Sequence, residues 1–258
     1  MQWQKPGSLG EQARLNIFQM SDHTSLPAWR EQPLDRRVFL RVSAASAASV
    51  ALIAAGCTSE TTPPVTPDPY QLVLPAGDTG LYYYAYILSI AQTTLYQKVV
   101  DSPPADLTTA ERAVFVDLRD HAVVHRELFR YFIDNTRANE LFPTDFVFNL
   151  ATFTLTSRAG VLAAAQQVAD LVAAAYPAML PLFATATAQR NIALKISSVL
   201  ARHAAAVRDM LTPGSFASSD VVDSTGLLIT KTPTEVTAAL ASYFAPYVIS
   251  VANLAIPA

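Results

Sequence analysis

The chain has 258 residues, of which 18 are basic and 21 are acidic, so its formal net charge at neutral pH is −3. A mildly acidic chain with scattered arginines argues against nucleic acid as a partner. The sequence contains a single cysteine, which excludes an internal disulfide bond. Its stability therefore has to come from an ordinary apolar core.

The N-terminal segment contains a pattern typical of protein export. Arg36 and Arg37 stand before an apolar pair and a further basic residue, and a weakly hydrophobic run follows at 42–55. This is the twin-arginine pattern. The run has about 14 residues, whereas a membrane-spanning helix needs roughly 20. We therefore predict a signal peptide over residues 1–56 and no permanent membrane span there.

The only cysteine directly follows this apolar run. Ala54, Ala55 and Gly56 are small residues that lead to Cys57, an arrangement that resembles the site read by lipoprotein-processing enzymes. The alternative is a buried, unreactive cysteine in an N-terminal helix. Because the thiol stands where an export and lipidation address would put it, we predict that Cys57 is the lipid-bearing first residue of the processed protein.

A polar segment rich in proline and threonine comes after Cys57, and we assign residues 57–75 to the lipidated cysteine and a linker. Cleavage before Cys57 removes six basic and four acidic residues. The 18 basic residues then fall to 12 and the 21 acidic ones to 17, which leaves a net charge of −5. The expected product is a lipoprotein of the cell envelope, held at the periplasmic or outer surface of a membrane.

Beyond the linker, apolar residues recur at alternating spacings of three and four, which predicts helices. Capping boxes at Thr108 with Glu111 and at Thr232 with Glu235 predict the start of the second helix and of a short fifth one. No alternating pattern is long enough to predict a strand, and residues 212–231 are predicted to be a loop. The first four helices are predicted at about 78–100, from 108 onward, at 146–175 and at 181–210.

Each long helix carries one apolar stripe, and four such stripes are buried most simply in a four-helix bundle. The stripe of the second helix includes His125, and that of the fourth includes His203. The predicted fold over residues 76–258 is therefore all-α, an antiparallel four-helix bundle with a short C-terminal helix.

The order of several segments points to a family. Residues 107–112 and 119–127 resemble the second helix of exported ferritin-like proteins that are often found with signals of this kind. Residues 87–91, 158–161, 200–205 and 231–236 are similar to their first, third, fourth and C-terminal helices. The resemblance implies a ferritin-like fold. In members with an intact site it also implies two metal ions, bound by a Glu from each of two helices and a Glu-x-x-His pair from each of the other two.

The resemblance places the ligand positions on named residues of this chain. The two histidine positions fall on His125 and His203. The four carboxylate positions are all replaced, and they fall on Leu95, Ala122, Ser157 and Leu200. Two neutral imidazoles cannot offset the charge of two metal ions, so we expect no di-iron centre and no bound cofactor.

His125 and His203 have two interpretations. They are either buried core residues retained from a metal-binding ancestor, or ligands of one softer transition metal ion such as zinc or copper, completed by His121 or water. A haem between the two imidazoles is a third, weaker option. We favour the first, in which both are vestigial, and we expect His121 to be partly exposed near Asp120.

Two classes of function follow. In the first, the protein is a non-catalytic binding or structural module, held on a membrane by its lipid and contacting an unidentified protein partner. In the second, it is a metal-binding or redox protein of the ferritin-like kind with an unusual histidine-based site. The missing carboxylates favour the first, for which we expect no catalytic residues.

Overall fold

The computed structural model describes residues 68–133, 142–143, 145–184 and 188–254, so the predicted signal peptide and Cys57 lie outside the described residues. Two short 3₁₀ turns, at Leu180–Leu182 and Ala252–Leu254, supplement the regular elements. In chain order these elements are β1 (Gln71–Val73), α1 (Gly77–Asp101), α2 (Thr109–Ile133), α3 (Arg158–Met179), α4 (Ala188–Leu211), α5 (Pro233–Phe244) and β2 (Val248–Ser250).

The four long helices form the predicted all-α bundle. α1 packs mainly on α2 and α3 mainly on α4, while α1 also contacts α3 and α2 contacts α4. An ion pair joins Glu111 in the first turn of α2 to Arg158 in the first turn of α3. Arg158 Nη2 also donates to the carbonyl of Met210, near the end of α4, at 2.7 Å. α2 and α3 therefore start at the same end of the bundle, and two antiparallel helix pairs are joined by a crossover.

Both predicted capping boxes are present. The hydroxyl of Thr108 accepts from the backbone N–H of Glu111, and the Glu111 carboxylate accepts from the Thr108 N–H at 2.9 Å. Thr232 and Glu235 make the same reciprocal pair at the start of α5. These local signals explain why the starts of α2 and α5 agree with the sequence prediction.

The third helix begins later than predicted, at residue 158 instead of about 146. Ser157 has extended backbone, and its side chain accepts from the Gly160 N–H, so it is the N-cap. The apolar residues before it serve another contact: Phe148 and Phe153 pack against Tyr243 of α5, with ring centroids 5.2 and 4.8 Å apart. The apolar stripe predicted for the third helix began with Leu150 and Phe153, but Phe153 packs against α5 and the helix starts after it.

The connection between the third and fourth helices also differs from the prediction. Pro177 was expected to close α3, yet the helix continues through it to Met179 and then into a 3₁₀ turn. Phe183 adopts extended backbone after this turn. The described part of α4 begins at Ala188, whereas the prediction was 181, because the apolar residues near 181 belong to the turn.

Two short strands were not predicted. β1 and β2 pair in parallel, with Leu72 opposite Ile249, and each has only three residues, too few for an alternating pattern. β1 lies within the 57–75 segment assigned to the linker. Leu72 and Leu74 are buried, so the packed domain begins before the predicted boundary at residue 76.

One apolar cluster runs through the bundle and contains residues from all five helices. Among the described residues, the stretch Arg158–Leu182 is long and apolar enough to cross a membrane by length and composition. However, 67 % of its apolar window is buried within the domain, as expected for a core helix.

The cap at the start of α2 provides a test of the bundle. Replacement of Glu111 by alanine removes the cap and the ion pair with Arg158. We expect it to lower the free energy of unfolding by about 1–2 kcal/mol, measured by urea denaturation. Both contributions are favoured by burial, because the Glu111 side chain is only 11 % exposed, although its ion pair with the 36 % exposed Arg158 side chain is partly screened. Glu235→Ala, at the exposed matched cap of α5, is the control and should cost less. Equal losses in the two variants would contradict the assignment.

Candidate functional site

Three of the four positions that the resemblance assigns to carboxylate ligands carry buried apolar side chains. Leu95 is 0 % exposed, and Ala122 and Leu200 are each 2 % exposed. All three belong to the main apolar cluster. His125, three residues after Ala122 on α2, is 8 % exposed. Four of the ligand positions named from the resemblance therefore lie in the core.

Ser157 is a correction to that alignment. It was assigned to the third-helix carboxylate position, but it is the N-cap of α3 and lies at the end of the bundle where α2 also begins. The buried part of α3 is apolar. The one acidic residue of α3 is Asp170, whose two carboxylate oxygens each accept from Arg208 Nε at 2.9 Å.

The structure brings three histidines together between α2 and α4. Nδ1 of His121 lies 3.0 Å from Nε2 of His203, with the two rings nearly parallel and their centroids 5.1 Å apart. At this centroid separation the two nitrogens point almost directly at each other, as in an imidazole–imidazole hydrogen bond. His121 is exposed, as expected, but its partner is His203. Asp120 instead pairs with Arg119.

His125 and His203 are both held in their neutral forms. Burial lowers the pKa of His125 to about 4, with further contributions from His203 and His121. Burial also lowers the pKa of His203 to about 4, assisted by His121 and Arg202. The structure therefore places the two histidines within electrostatic range of each other, and His203 makes its hydrogen bond with His121.

The buried polar groups of α1 and the buried tyrosine hydroxyls are neutral. On α1 these groups include Gln92 and Thr93. The hydroxyls of Tyr84, Tyr96 and Tyr176 are also buried and have no geometrically good hydrogen bond. Gln92 lies near Tyr96, however, and Ser89 lies near Tyr176. Burial raises the pKa of all three tyrosines.

A di-metal centre needs anionic oxygen ligands, and these groups do not supply them. Within the described residues, no group of three or more His, Cys, Asp or Glu side chains is arranged to hold a metal ion. The donor set at the family's ligand positions therefore does not fit a pair of metal ions.

A charged cluster that the sequence analysis missed lies between α3, α4 and the following loop. Arg208 is 5 % exposed and forms ion pairs with Asp170 and Asp220, at 2.8 and 2.6 Å. These two carboxylates raise the pKa of Arg208. The available signal was an arginine next to Val207 of the apolar stripe, but only the tertiary structure identifies its partners.

Two cavities of about 210 and 290 Å³ share Arg208 and Asp170 as lining residues. Alanines of α3 and α4, among them Ala173 and Ala204, form the floor of the smaller one, and the 216–229 part of the loop covers it. In this loop Phe216 and Leu227 are 57 % and 67 % exposed.

The profile of the family described as the ferritin-like domain matches residues 77–213, which is more than half of the chain. The chain belongs to the ferritin-like domain family. No curated protein and no solved structure gives a significant match. The matched range covers α1 to α4, and α5 and both strands lie outside it.

The two depressed histidine pKa values make the stability of this ferritin-like domain depend on pH. Below the ordinary histidine pKa of 6.5 the unfolded chain binds protons that the folded chain does not bind. The free energy of unfolding should therefore fall as the pH falls from about 7 to 5, by at most about 1.4 kcal/mol per pKa unit and histidine. Urea denaturation at a series of pH values measures this slope.

His125→Gln should flatten the slope because it removes one of the two titrating groups. Phe129→Leu, one turn further along the same stripe, destabilises the core without changing any ionisation and should leave the slope unchanged. A free energy of unfolding that is constant from pH 7 to 5 in the unsubstituted protein would contradict the neutral state of the histidines.

Proposed function

We propose that this protein is an exported, lipid-anchored ferritin-like domain that acts as a non-catalytic binding or structural module without a functional di-iron centre. The observation that carries the proposal is the burial of Leu95, Ala122 and Leu200 at positions where the family places metal-binding carboxylates. Hydrocarbon there stabilises the bundle and offers no ligand. Each buried leucine contributes roughly 1.5–3 kcal/mol of apolar burial.

The histidine geometry supports the same interpretation. The two facing nitrogens of His121 and His203 are 3.0 Å apart and aimed at each other, so one proton between them satisfies both rings. The lone pairs of two ligands to one metal ion converge on a third point instead. His125 and His203 are, in this proposal, vestigial metal-site residues that now contribute to packing and to hydrogen bonding.

The binding role is supported by the surface of the domain. Apolar side chains that are exposed next to a concave pocket are typical of interaction sites. The loop with Phe216 and Leu227, together with the cavity beside Arg208, provides such a site for a protein partner. Because Arg208 is already paired with two carboxylates, we expect the partner group that enters the cavity to be uncharged.

A second candidate function rests on the three clustered histidines. His121, His125 and His203 could hold a single zinc or copper ion if the His121–His203 hydrogen bond broke and the rings turned. Isothermal titration with zinc separates the two candidates. Stoichiometric binding that is lost in His203→Gln supports the second candidate, and an absence of binding supports the first.

Metal analysis tests the main proposal. Protein purified without a metal-affinity tag should contain less than stoichiometric iron or manganese, and it should not accelerate the oxidation of added ferrous iron. The physical reason is that three of the ligand positions are hydrocarbon and the fourth falls on a helix cap. Two metal ions per chain, or measurable ferroxidase activity, would contradict the proposal.

Lipid attachment is tested at the cysteine. When the full-length chain is expressed in an export-competent bacterium with a labelled fatty acid, Cys57 should acquire the label and the protein should fractionate with membranes. Cys57→Ala should remain uncut or appear in the soluble fraction. Normal processing and membrane association of Cys57→Ala would exclude this residue as the anchor. The double substitution Arg36→Lys with Arg37→Lys should instead block export of the protein.

A further inference from the structure

One end of the domain lacks charged side chains over two segments. Residues 69–77 and 236–258 contain no Asp, Glu, Lys, Arg or His. The structure joins these segments, because β1 pairs with β2 and α5 leads directly into β2. The first of them is also where the chain enters the domain from the predicted linker.

The outer face of the small sheet is uncharged and accessible, and it carries Val73 and Val248 beside the polar residues Gln71 and Ser250. Side chains alternate between the two faces of a strand, so Leu72 is buried while Val73 is 45 % exposed. Val248 of β2 is paired with Gln71 and therefore lies on the same outer face as Val73, with 59 % exposure. Tyr70 is 46 % exposed, and its ring packs edge-on against Tyr247 at 5.6 Å.

This face continues onto α5. A groove of about 210 Å³ lies between α5 and β2, and its lining includes Val248 together with Ala238 and Ala241, both of which are exposed. We call the surface formed by Tyr70, Val73, Ala238, Ala241 and Val248 the tether-end face.

We propose that the tether-end face docks on the lipid bilayer that carries the anchor. The inference rests on the proposed function, namely lipid attachment at Cys57. The chain between Cys57 and Asp68 spans at most about 36–40 Å when fully extended. A lipid at Cys57 therefore keeps this end of the domain close to the membrane surface. At such a high effective concentration, weak apolar contacts are enough to dock the face.

The composition of the tether-end face suits a bilayer better than a second copy of the chain. Tyrosine has an apolar ring and a polar hydroxyl, and it is favoured at membrane–water interfaces. A standard protein interface buries about 800 Å² per partner. Three partly exposed large side chains beside alanines offer much less.

The charges around the face predict which lipids it contacts. The charged residues around the face are mainly acidic: Asp68 accepts from the Tyr70 N–H at 2.9 Å, Asp145 accepts from the Tyr247 hydroxyl at 2.5 Å, and Glu235 lies in the first turn of α5 with the basic Lys231 close to it. A net attraction to anionic headgroups is therefore not expected. Docking should occur on zwitterionic phospholipid, persist at high salt and weaken as anionic lipid is added.

Tryptophan fluorescence tests the orientation. The only tryptophans, Trp3 and Trp29, lie in the predicted signal peptide, so the processed protein has no tryptophan of its own and gives a silent background. Val248→Trp places a reporter on the tether-end face. Val124→Trp is the matched control, because Val124 is 63 % exposed on α2. Each protein is purified from membranes and reconstituted into phosphatidylcholine vesicles whose acyl chains carry bromine, a short-range quencher.

The reporter at position 248 should be quenched about threefold or more relative to the one at position 124, since an interfacial side chain sits about 5–10 Å into the headgroup boundary. A third protein carries the reporter in place of Tyr70, and adding Val248→Asp to it should abolish its quenching. Equal quenching at positions 248 and 124 overturns the proposal. The proposal is also overturned if the emission of the reporter at position 248 shifts to the blue as protein concentration rises, the molecular mass doubles and bromine has no effect. That result would assign the face to a second copy of the chain.

Failure of the anchor is distinguishable from failure of the docking. Absence of labelled fatty acid at Cys57 refutes the anchor, whatever the quenching shows. Labelled, membrane-bound protein with equal quenching at the two positions refutes the docking alone and leaves the anchor intact.

Discussion

The packing of hydrocarbon at the centre of the bundle is the constraint on which the rest of the structure depends. Leu95 and Leu200 fill the space between the helices, and Ala122 allows α2 to approach its neighbours closely. In a ferritin-like protein with a metal centre, buried carboxylates at these positions would need cations to offset their charge. Here apolar contacts between the four helices, which need no ion, keep the fold of the family, and they are the observation behind the proposed loss of its metal centre.

Three polar contacts join different elements of the domain. His121 and His203 pair across α2 and α4, Glu111 and Arg158 join the starts of α2 and α3, and Arg208 is held by two carboxylates beside the loop that follows α4. Each of these contacts fixes one helix relative to another. By contrast, segments 69–77 and 236–258, which contain β1, most of α5 and β2, carry no charged residue. The domain is thus polarised, with charge-mediated contacts between the long helices and an uncharged surface where the chain enters.

The elements that sequence reasoning predicted are those governed by local signals. The Thr108 and Thr232 capping boxes fix the starts of α2 and α5, because both partners of each hydrogen bond lie within four residues. The predicted start of α3 was wrong because Phe153, which was placed on its apolar stripe, stacks on Tyr243 of α5, about 90 residues further along the chain. The His121–His203 pair and the partners of Arg208 were missed for the same reason: each joins residues on different elements, and nothing in the local sequence specifies that pairing.

The central claim, that hydrocarbon has replaced metal binding as the source of core stability, is tested most directly by the free energy of unfolding with and without metal. A ligand that binds only the native state at a hundred times its dissociation constant raises this free energy by about 2.7 kcal/mol. We predict that urea denaturation of the metal-stripped protein gives the same free energy of unfolding in chelator, in ferrous iron and in manganese. A rise of several kcal/mol on adding either metal would contradict the account.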